Sequence, residues 1–504
     1  MMTVGNLKQT TPTGWLATAA LLGLLTALLP LDFVVMIVGG LLLAAVLLAI
    51  LAQPFVGLAL TLLAGPFGAL ENVILGGNVP IDSGQILLLL TLGSWLARGL
   101  ARRRVYLPQV SLLWPLSLFT AVTAVSVLSA PSTVLGLTEL LKWIEISLVM
   151  IMVVDLGREW QAEHSQTKGI HLLLGIILLA GVSQALIGIW QFGLRGHGPE
   201  HFLVLGRFYR AYGTFEQPNP FGGYMELNGT LAIGALIGLL MVWGRGLYEQ
   251  RRAFWQKMRP YDLLVLGGTA VCALALTIAL LMSWSRGAWL GYTAGLGALA
   301  FFWPKRQWQG VIIVALGAML LFGAWQADLI PASISTRLTT IVEEFRLGDV
   351  RGVDINDANY AVLERLAFWQ AAVNMAQDNF WLGVGFGNYA AAYPDYALIN
   401  WTTALGHAHN YYLNLLAETG ILGILAYAVV WVTILWQNMV LLRHLTWPNR
   451  GIALGLLGSW TALTVHQLVD KLYVNNIYVH IGAMLGLQQL LVMTLKNKYR
   501  GMDS

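Results

Sequence analysis

Long apolar runs follow one another along almost the whole of this chain, and they restrict what it can fold into. Hydrophobic residues occupy 57% of the 504 positions and charged residues only 11%, with a mean hydropathy of +0.67. Soluble domains carry about 25% charged residues. A run of about 20 apolar residues can cross a bilayer as a helix, whereas the alternating ten-residue segments of a membrane barrel are absent. The sequence therefore predicts an all-α polytopic membrane protein.

Fourteen apolar runs are candidate transmembrane helices. They cover residues 14–29, 32–51, 54–70, 84–100, 111–129, 134–154, 170–193, 220–243, 263–282, 287–303, 309–327, 411–436, 451–469 and 474–494. The short runs between 32 and 70 could merge or be re-entrant, so we expect twelve to fourteen transmembrane helices. The single cysteine, Cys272, lies within an apolar run and excludes a disulfide framework or a cysteine metal cluster.

Basic residues in the short connections predict the orientation of these helices. When the fourteen runs alternate across the membrane, 19 of the 29 basic residues fall on one side. They are Lys8, Arg98, Arg102, Arg103, Arg104, Arg158, Lys168, Arg245, Arg251, Arg252, Lys257, Arg259, Lys305, Arg306, Arg443, Arg450, Lys496, Lys498 and Arg500. We expect this side to be the cytoplasm, with both termini inside. The basic residues that mark the cytoplasmic side therefore explain the isoelectric point near 9.0, and no nucleic-acid partner is needed to explain it.

One long segment on the opposite side differs from the rest of the chain. Residues 328–405 contain nine acidic residues, four arginines and no lysine, which fits an external location. A connection of this length is expected to have structure of its own. The predicted division is a first transmembrane part over 1–327, an external loop over 328–408, and a C-terminal transmembrane part over 409–504.

The external loop contains two recognisable patterns. Residues Ala358–Asn379 have helical periodicity and predict an amphipathic helix packed over the membrane domain. Its apolar stripe consists of Val362, Leu366, Trp369 and Val373. A glycine-spaced turn follows at Trp381–Tyr389.

Four arginines on the predicted external side stand apart from the topology pattern, namely Arg195, Arg207, Arg210 and Arg286. Arg286 and Arg210 carry the argument. Arg286 follows Ser285 at the start of an apolar run, where helix N–H groups and the helix dipole favour anions. Arg210 precedes a loop rich in proline and glycine. If both arginines face one cavity, their guanidinium groups suit a phosphate or pyrophosphate. Contact with lipid headgroups is the alternative for each of them.

Ionisable and polar residues also collect where the late external segment meets a membrane run. His407, His409 and Asn410 precede it, and Glu418 lies further along. His409 can exchange a proton near neutral pH, although a lone histidine at a helix entry is more often structural. Glu418 is nine residues beyond His409, about 180° around a helix, which indicates a structural role.

His466 and Asp470, spaced i, i+4 near another external helix end, form a weaker second candidate. The sequence shows no group of Asp, Glu and His typical of a dedicated metal site, so neither a metal nor another cofactor is predicted.

Several short motifs follow one another in a fixed order. They are Arg210 with Gly213–Phe215 and Pro218–Asn219, then Ser285–Gly287, then Gly383–Asn388, and last His409–Asn410 with Gly420 and Gly423. In this order and spacing the sequence resembles the O-antigen ligase and O-antigen polymerase (Wzy-like) family of membrane proteins. The resemblance covers residues 200–435 in detail and the helical envelope more loosely.

The resemblance implies a fold similar to type C glycosyltransferases, with one large external loop late in the chain. It implies an enzyme of the bacterial inner membrane that transfers a glycan from a polyprenyl diphosphate carrier to an acceptor hydroxyl, without a nucleotide sugar or metal. Arg210 and Arg286 would hold the pyrophosphate, and His409 would be the general base in an inverting displacement. His407, Asn410, Ser285 and Glu418 are secondary candidates.

The sequence leaves the acceptor and one other function class open. The acceptor is a lipid, a glycan or a protein, and a ligase and a polymerase carry the same motifs. The alternative function is a transporter or flippase, because members of the family have also been described as bicarbonate-transport proteins. A transporter places polar groups along a path at the bilayer midplane, whereas the residues named above gather at one external face. A purely structural scaffold explains neither the arginines nor the histidines.

Overall fold

The computed structural model describes most of the chain, and nearly all of its regular structure is helical. The described residues are 31–77, 81–103, 108, 110–163, 168–249, 259–333, 335, 349–356 and 359–500. In chain order the α-helices are α1 (Leu31–Ala52), α2 (Pro54–Ala64), α3 (Gly68–Ile74), α4 (Ser83–Ala101), α5 (Leu113–Val127), α6 (Thr133–Glu163), α7 (Lys168–Gly193), α8 (Pro218–Glu249), α9 (Pro260–Met282), α10 (Arg286–Phe302), α11 (Gln307–Gln326), α12 (Tyr360–Asp378), α13 (Tyr389–Ala392), α14 (Tyr411–His444), α15 (Asn449–His466) and α16 (Ile477–Arg500). Two short strands, β1 (Leu203–Val204) and β2 (Phe208–Tyr209), pair antiparallel between α7 and α8.

The helices agree closely with the predicted apolar runs. Thirteen of the fourteen runs coincide with a helix, and the first, residues 14–29, lies outside the described residues. Among the described residues, nine helical segments are long and apolar enough to cross a membrane, with α2 and α3 counted as one segment. The other four predicted runs lie in helices that are shorter (α5 and α10) or contain more polar residues (α6 and α15). The prediction of an all-α polytopic membrane protein is confirmed.

Helix α8 packs at the centre of the bundle against α9, α10 and α15. It meets α15 through pairs of glycines, Gly234 with Gly455 and Gly238 with Gly451, where an added Cβ would overlap the facing backbone. Small residues let membrane helices approach closely, and van der Waals packing then stabilises the pair. This contact fixes the position of α8 along α15. The candidate site lies where α8 begins and α15 ends.

Helix α14 is broken at Gly420, whose φ of 62° and ψ of −163° are not helical. The predicted glycine turn packs into this break. Gly385 N–H donates to the Glu418 carbonyl at 3.0 Å, and Ile421 N–H donates to the Phe380 carbonyl at 2.8 Å. A side chain at Gly420 would overlap the backbone of Trp381. The motif glycine is therefore needed where the glycine turn packs against α14.

The predicted amphipathic helix is present as α12, and it packs against α14. Of the predicted stripe, Leu366 and Trp369 are buried and Val362 is half-buried. Val373 is exposed, so this part of the prediction is wrong. The buried face instead turns toward Phe368 and Met375, because α12 contacts two apolar clusters on adjacent sides.

The bundle has two ends that differ in character. Tyr411 N–H, at the start of α14, donates to the Gln467 carbonyl after α15 at 2.8 Å, so these two helix ends meet. The start of α10 lies beside them, because Gly287 packs on His466. We call this the cavity end. At the opposite end Arg450 donates to the carbonyls of the last turn of α10.

Candidate active site

Three arginines line one small cavity at the cavity end of the bundle. The cavity is ≈ 90 Å³ and is bounded by Arg210 before α8, Arg286 on α10 and Arg365 on α12. Its other walls are Asn219, Trp284, Gly287, His466, Val469 and Asp470. The structure thus brings together the two arginines that the sequence singled out, and it adds a third from α12.

Arg210 is held against the turn that precedes α10. Its Nε donates to the Ser283 carbonyl at 2.9 Å, and a guanidinium nitrogen donates to Asn219 Oδ1 at 3.3 Å. Its backbone N–H donates to the Phe202 carbonyl at 2.9 Å, and the next residue donates to the Met282 carbonyl. The bent loop before α8 therefore places Arg210 beside the turn that precedes α10.

Arg286 is the first residue of α10, so the cavity faces a helix N-terminus. The Ser285 hydroxyl is buried and caps this helix by accepting the Ala288 N–H at 3.4 Å. Ser283 Oγ accepts the Ser285 N–H at 3.2 Å. The two serines thus shape the turn, while Arg286 and Gly287 reach the cavity. N–H groups at a helix start add to the positive potential that attracts an anion.

The two histidines before α14 lie close to Asp470, which is also part of the cavity wall. His407 Nε2 is 3.6 Å and His409 Nδ1 is 3.8 Å from Asp470 Oδ1. Burial raises the pKa of the Asp470 carboxyl. The neighbouring histidines, His409 first among them, lower the pKa by a larger amount, so it lies below its ordinary value. Asp470 is therefore a carboxylate that borders both the arginine cavity and the histidine pair.

His407 has a defined tautomer. Its Nδ1 accepts the backbone N–H of His409 at 3.0 Å, so the ring proton sits on Nε2 and faces Asp470. Burial lowers the pKa of His407 to about 3, and the ring stays neutral.

Two histidines and a carboxylate, His407, His409 and Asp470, have ligand atoms within 4.8 Å of one another and could also hold a metal ion. The sequence did not predict this grouping. A metal on Nε2 would require that nitrogen to lose its proton while Nδ1 still accepts a hydrogen bond, whereas a ligating histidine usually donates from its other nitrogen. The hydrogen bond to Nδ1 of His407 therefore favours a hydrogen-bonded cluster of these three side chains over a metal site.

His409 occupies a strained and partly covered position. Its φ of 50° is unusual for a residue other than glycine. Its ring lies nearly parallel to Phe368 of α12, with centroids 6.0 Å apart. Asn410 caps α14 by accepting the N–H groups of Tyr412 and Leu413 at 3.0 and 3.1 Å. Asn410 therefore fixes the helix start, and Phe368 of α12 packs over the ring of His409.

The loop that carries Asp470 is anchored in the bundle by charge. Lys471 Nζ lies 2.8 Å from Glu139 Oε1 on α6, and Lys142 Nζ lies 2.7 Å from the other carboxylate oxygen. These groups are largely removed from water, so their attraction is screened much less than that of a surface pair. The ion pair restrains the backbone next to Asp470.

Comparison with known families identifies part of the chain. Residues 270–428 match the model of the O-antigen ligase family. This segment is O-antigen ligase-like. The resemblance deduced from the motifs is thereby confirmed, and it supports membrane glycosyl transfer of the O-antigen ligase or polymerase type in general. No curated protein matches the chain.

The ligase-like segment contains part of the site and its structural support. Arg286, Arg365 and His409 lie within it, whereas Arg210 and Asp470 lie outside. Glu418 also lies within it and is buried, with Oε1 accepting the Tyr389 N–H at 3.1 Å. Glu418 thus binds the backbone at the end of the glycine turn, and its structural role stays a prediction.

Two groups at the site were missed or given too little weight by the sequence analysis. Arg365 stands inside the amphipathic pattern of α12, and its signal in the sequence is an arginine within a predicted external loop that lacks lysine up to residue 405. Asp470 appeared only as a weak candidate beside His466. Its position between the arginines and the histidines depends on how α15 packs on α14.

Proposed function

We propose that this protein transfers a glycan from a polyprenyl diphosphate carrier to an acceptor hydroxyl at the external face of the bacterial inner membrane. The observation that carries the proposal is the single cavity lined by Arg210 and Arg286, with the histidine pair across Asp470. A glycan, a lipid or a protein supplies the acceptor hydroxyl.

The donor's diphosphate would lie in the arginine cavity. A guanidinium group can bind phosphate oxygens through two parallel hydrogen bonds. The diphosphate gains negative charge as it leaves the sugar, and positive charge already in place there lowers the barrier. The cavity of ≈ 90 Å³ has room for a small part of a donor, so the glycan and lipid extend beyond it.

His409 would act as general base on the acceptor. The acceptor oxygen attacks the anomeric carbon as His409 takes its proton, and the bond from that carbon to the diphosphate oxygen breaks with its electron pair staying on the diphosphate. A single displacement inverts the anomeric configuration. Asp470 would orient the His409 ring and stabilise the imidazolium that forms, because a carboxylate favours the charged form of a nearby histidine.

The proposed orientation places the cavity end outside the cell, with both termini in the cytoplasm. Basic residues in short connections mark the cytoplasmic side. Lys305, Arg306 and Arg450 lie at the end of the bundle opposite the cavity, which supports this orientation. It also supports an external loop over residues 328–408, which contributes Arg365 and Phe368 to the site.

The placement of the site favours an enzyme over the transporter alternative. Arg286 begins a helix, His409 precedes one and Asp470 follows one, so all three lie at helix ends. The test is transfer by the purified protein in lipid nanodiscs, with lipid-linked glycans extracted from bacterial membranes as donors and mixed membrane lipids and glycans as acceptors. Release of free polyprenyl diphosphate together with a new glycoconjugate is the expected result. Movement of donor across vesicles without such release would contradict the proposal.

A further inference from the structure

A carboxylate and a histidine form a fully buried pair beside the arginine cavity. His466 Nδ1 lies 3.0 Å from Glu226 Oε1, and neither side chain is exposed to solvent. Glu226 belongs to α8 and His466 is the last residue of α15. Ionisable groups inside a membrane bundle are costly, and an apolar pair of similar size would pack there at least as well. The pair therefore calls for a functional explanation.

The free nitrogen of this histidine lies beside another residue of the cavity wall. His466 is one of the cavity's lining residues, and its Nε2 packs on Gly287 at the start of α10. Nε2 is buried and has no hydrogen-bond partner among the described residues. Because Nδ1–H donates to Glu226, Nε2 is the atom of this ring left for a ligand.

We propose that His466, held by Glu226, donates a hydrogen bond to the donor's diphosphate and gives it a proton as it leaves the sugar. This inference rests on the proposed function and assigns a second proton-transfer group to it. As the anomeric bond breaks, its electron pair moves to the diphosphate oxygen, and the proton on His466 Nε2 passes to that oxygen. The acceptor's proton goes to His409, so one proton is released to His409 and one is taken from His466, and both rings return to their starting states through solvent.

The surrounding charges suit a proton on His466 when the diphosphate is bound. Glu226 and Asp470 are the carboxylates that face the ring, and Arg210, Arg286 and Arg365 are the cations across the cavity. The arginines oppose protonation of an empty site. A bound diphosphate offsets their charge, while Glu226 neutralises the imidazolium from behind. Binding of a diphosphate should therefore be coupled to uptake of a proton by His466.

The test measures binding of undecaprenyl diphosphate to the purified full chain in nanodiscs, with undecaprenol as the reference for the lipid tail. Calorimetry in buffers of different ionisation enthalpy gives the protons taken up, from about pH 8 to about pH 5.5, the range in which histidines titrate. His466→Gln keeps a donor near the position of Nε2 but cannot titrate. We expect its proton uptake to fall by up to one proton and its affinity at acidic pH to fall about tenfold or more.

One further variant tests the role of Glu226, and another serves as its control. Glu226→Gln removes the charge behind the ring, so the pH at which uptake is half complete should move to lower values. His480→Gln is the matched control, because His480 is also buried but bonds Asn228 and Tyr224 away from the cavity. It should leave proton uptake unchanged. The ligand's own protonation is the same in every variant.

The outcomes separate this inference from the proposed function. If His466→Gln takes up protons like the parent, the inference is overturned, while weaker binding in Arg286→Lys would still support the donor site. If the parent binds undecaprenyl diphosphate no better than undecaprenol, the donor assignment itself fails. Should His466→Gln not fold, His466→Asn takes its place, because its amide can still donate to Glu226 but leaves nothing at the position of Nε2.

Discussion

Asp470 Oδ1 lies 3.8 Å from Nδ1 of His409, and the same carboxylate forms part of the wall of the arginine cavity. One side chain thus borders both the group proposed to activate the acceptor and the groups proposed to hold the donor. The distance is longer than a hydrogen bond. Catalytic contacts are often long in the absence of substrate and shorten in the reacting complex. This relationship gives the first prediction.

Asp470→Asn should lower the transfer rate while leaving donor binding intact or tighter. The variant loses the charge that stabilises the His409 imidazolium, which corresponds to about 1.5–3 kcal/mol, or on the order of tenfold to a hundredfold. It also removes a negative charge from the cavity wall. Separate measurement of kcat and of undecaprenyl diphosphate affinity checks both parts. Weaker donor binding with unchanged kcat would contradict this role for Asp470.

Asp470→Asn should also change the dependence of stability on pH. The pKa of Asp470 is lowered in the folded protein, so its contribution to stability is present above the ordinary value of about 3.9 and is lost as pH falls through the lower folded value. The parent should therefore unfold at higher temperature than the variant at neutral pH, and the difference should shrink in acid. Thermal unfolding in detergent at several pH values measures this.

His409→Ala should nearly abolish transfer and leave donor binding largely intact. General base catalysis contributes about 10²–10⁴ in rate, and the arginines that hold the donor remain. Separate measurement of the transfer rate and of undecaprenyl diphosphate affinity in the variant checks both parts.

His407→Ala is the comparison for His409→Ala and should be milder. Loss of donor binding in His409→Ala would make this histidine a diphosphate contact instead, and near-normal transfer would leave it a structural residue.

Arg286→Lys and Arg210→Lys should each reduce transfer with folding and membrane insertion intact. Lysine keeps the charge but loses the planar fork. Loss of a hydrogen bond to a charged group costs about 1.5–3 kcal/mol, or on the order of tenfold to a hundredfold in donor affinity or rate. Arg207→Lys is a matched control, because Arg207 is exposed and stacks on Phe208 outside the cavity. If both cavity variants turn over like the parent, the diphosphate binds elsewhere.

A cysteine at Ser335 should react with an impermeant thiol reagent added outside intact cells. The background carries Cys272→Ala, which removes the chain's single native cysteine. A second cysteine at Arg306, at the opposite end of the bundle, should react only after the membrane is permeabilised. The reverse pattern would overturn the proposed orientation and, with it, the external location of the site.

Gly420→Ala should destabilise the protein. The left-handed φ of 62° costs a residue with a side chain about 1–3 kcal/mol, and the added Cβ would overlap Trp381. Gly317→Ala is the control, because an added Cβ there meets nothing within 4 Å and the residue lies inside α11. Equal melting temperatures for Gly420→Ala and the parent would show that α14 need not break at this residue.

The sequence by itself determined the helical envelope. Apolar runs long enough for a bilayer must satisfy their backbone hydrogen bonds internally, and thirteen of the fourteen predicted runs coincide with a helix for this reason. The ligase-like segment was also recognisable, because its motifs depend on local spacing. Arg210, Arg286 and His409 were singled out as candidates, since an ionisable residue beside an apolar run stands out without any knowledge of packing.

Only the tertiary structure decided which of these residues meet. Asp470 borders both the arginine cavity and His409 because α10 and α14 begin where α15 ends, and Arg365 joins them because α12 packs at that end. The pairing of Glu226 with His466 crosses two helices that are far apart in the chain. Local periodicity states which face of a helix is apolar, but contacts between helices depend on their rotation and close packing. The exposed Val373 shows that even the apolar face can be misjudged when a helix packs on two sides.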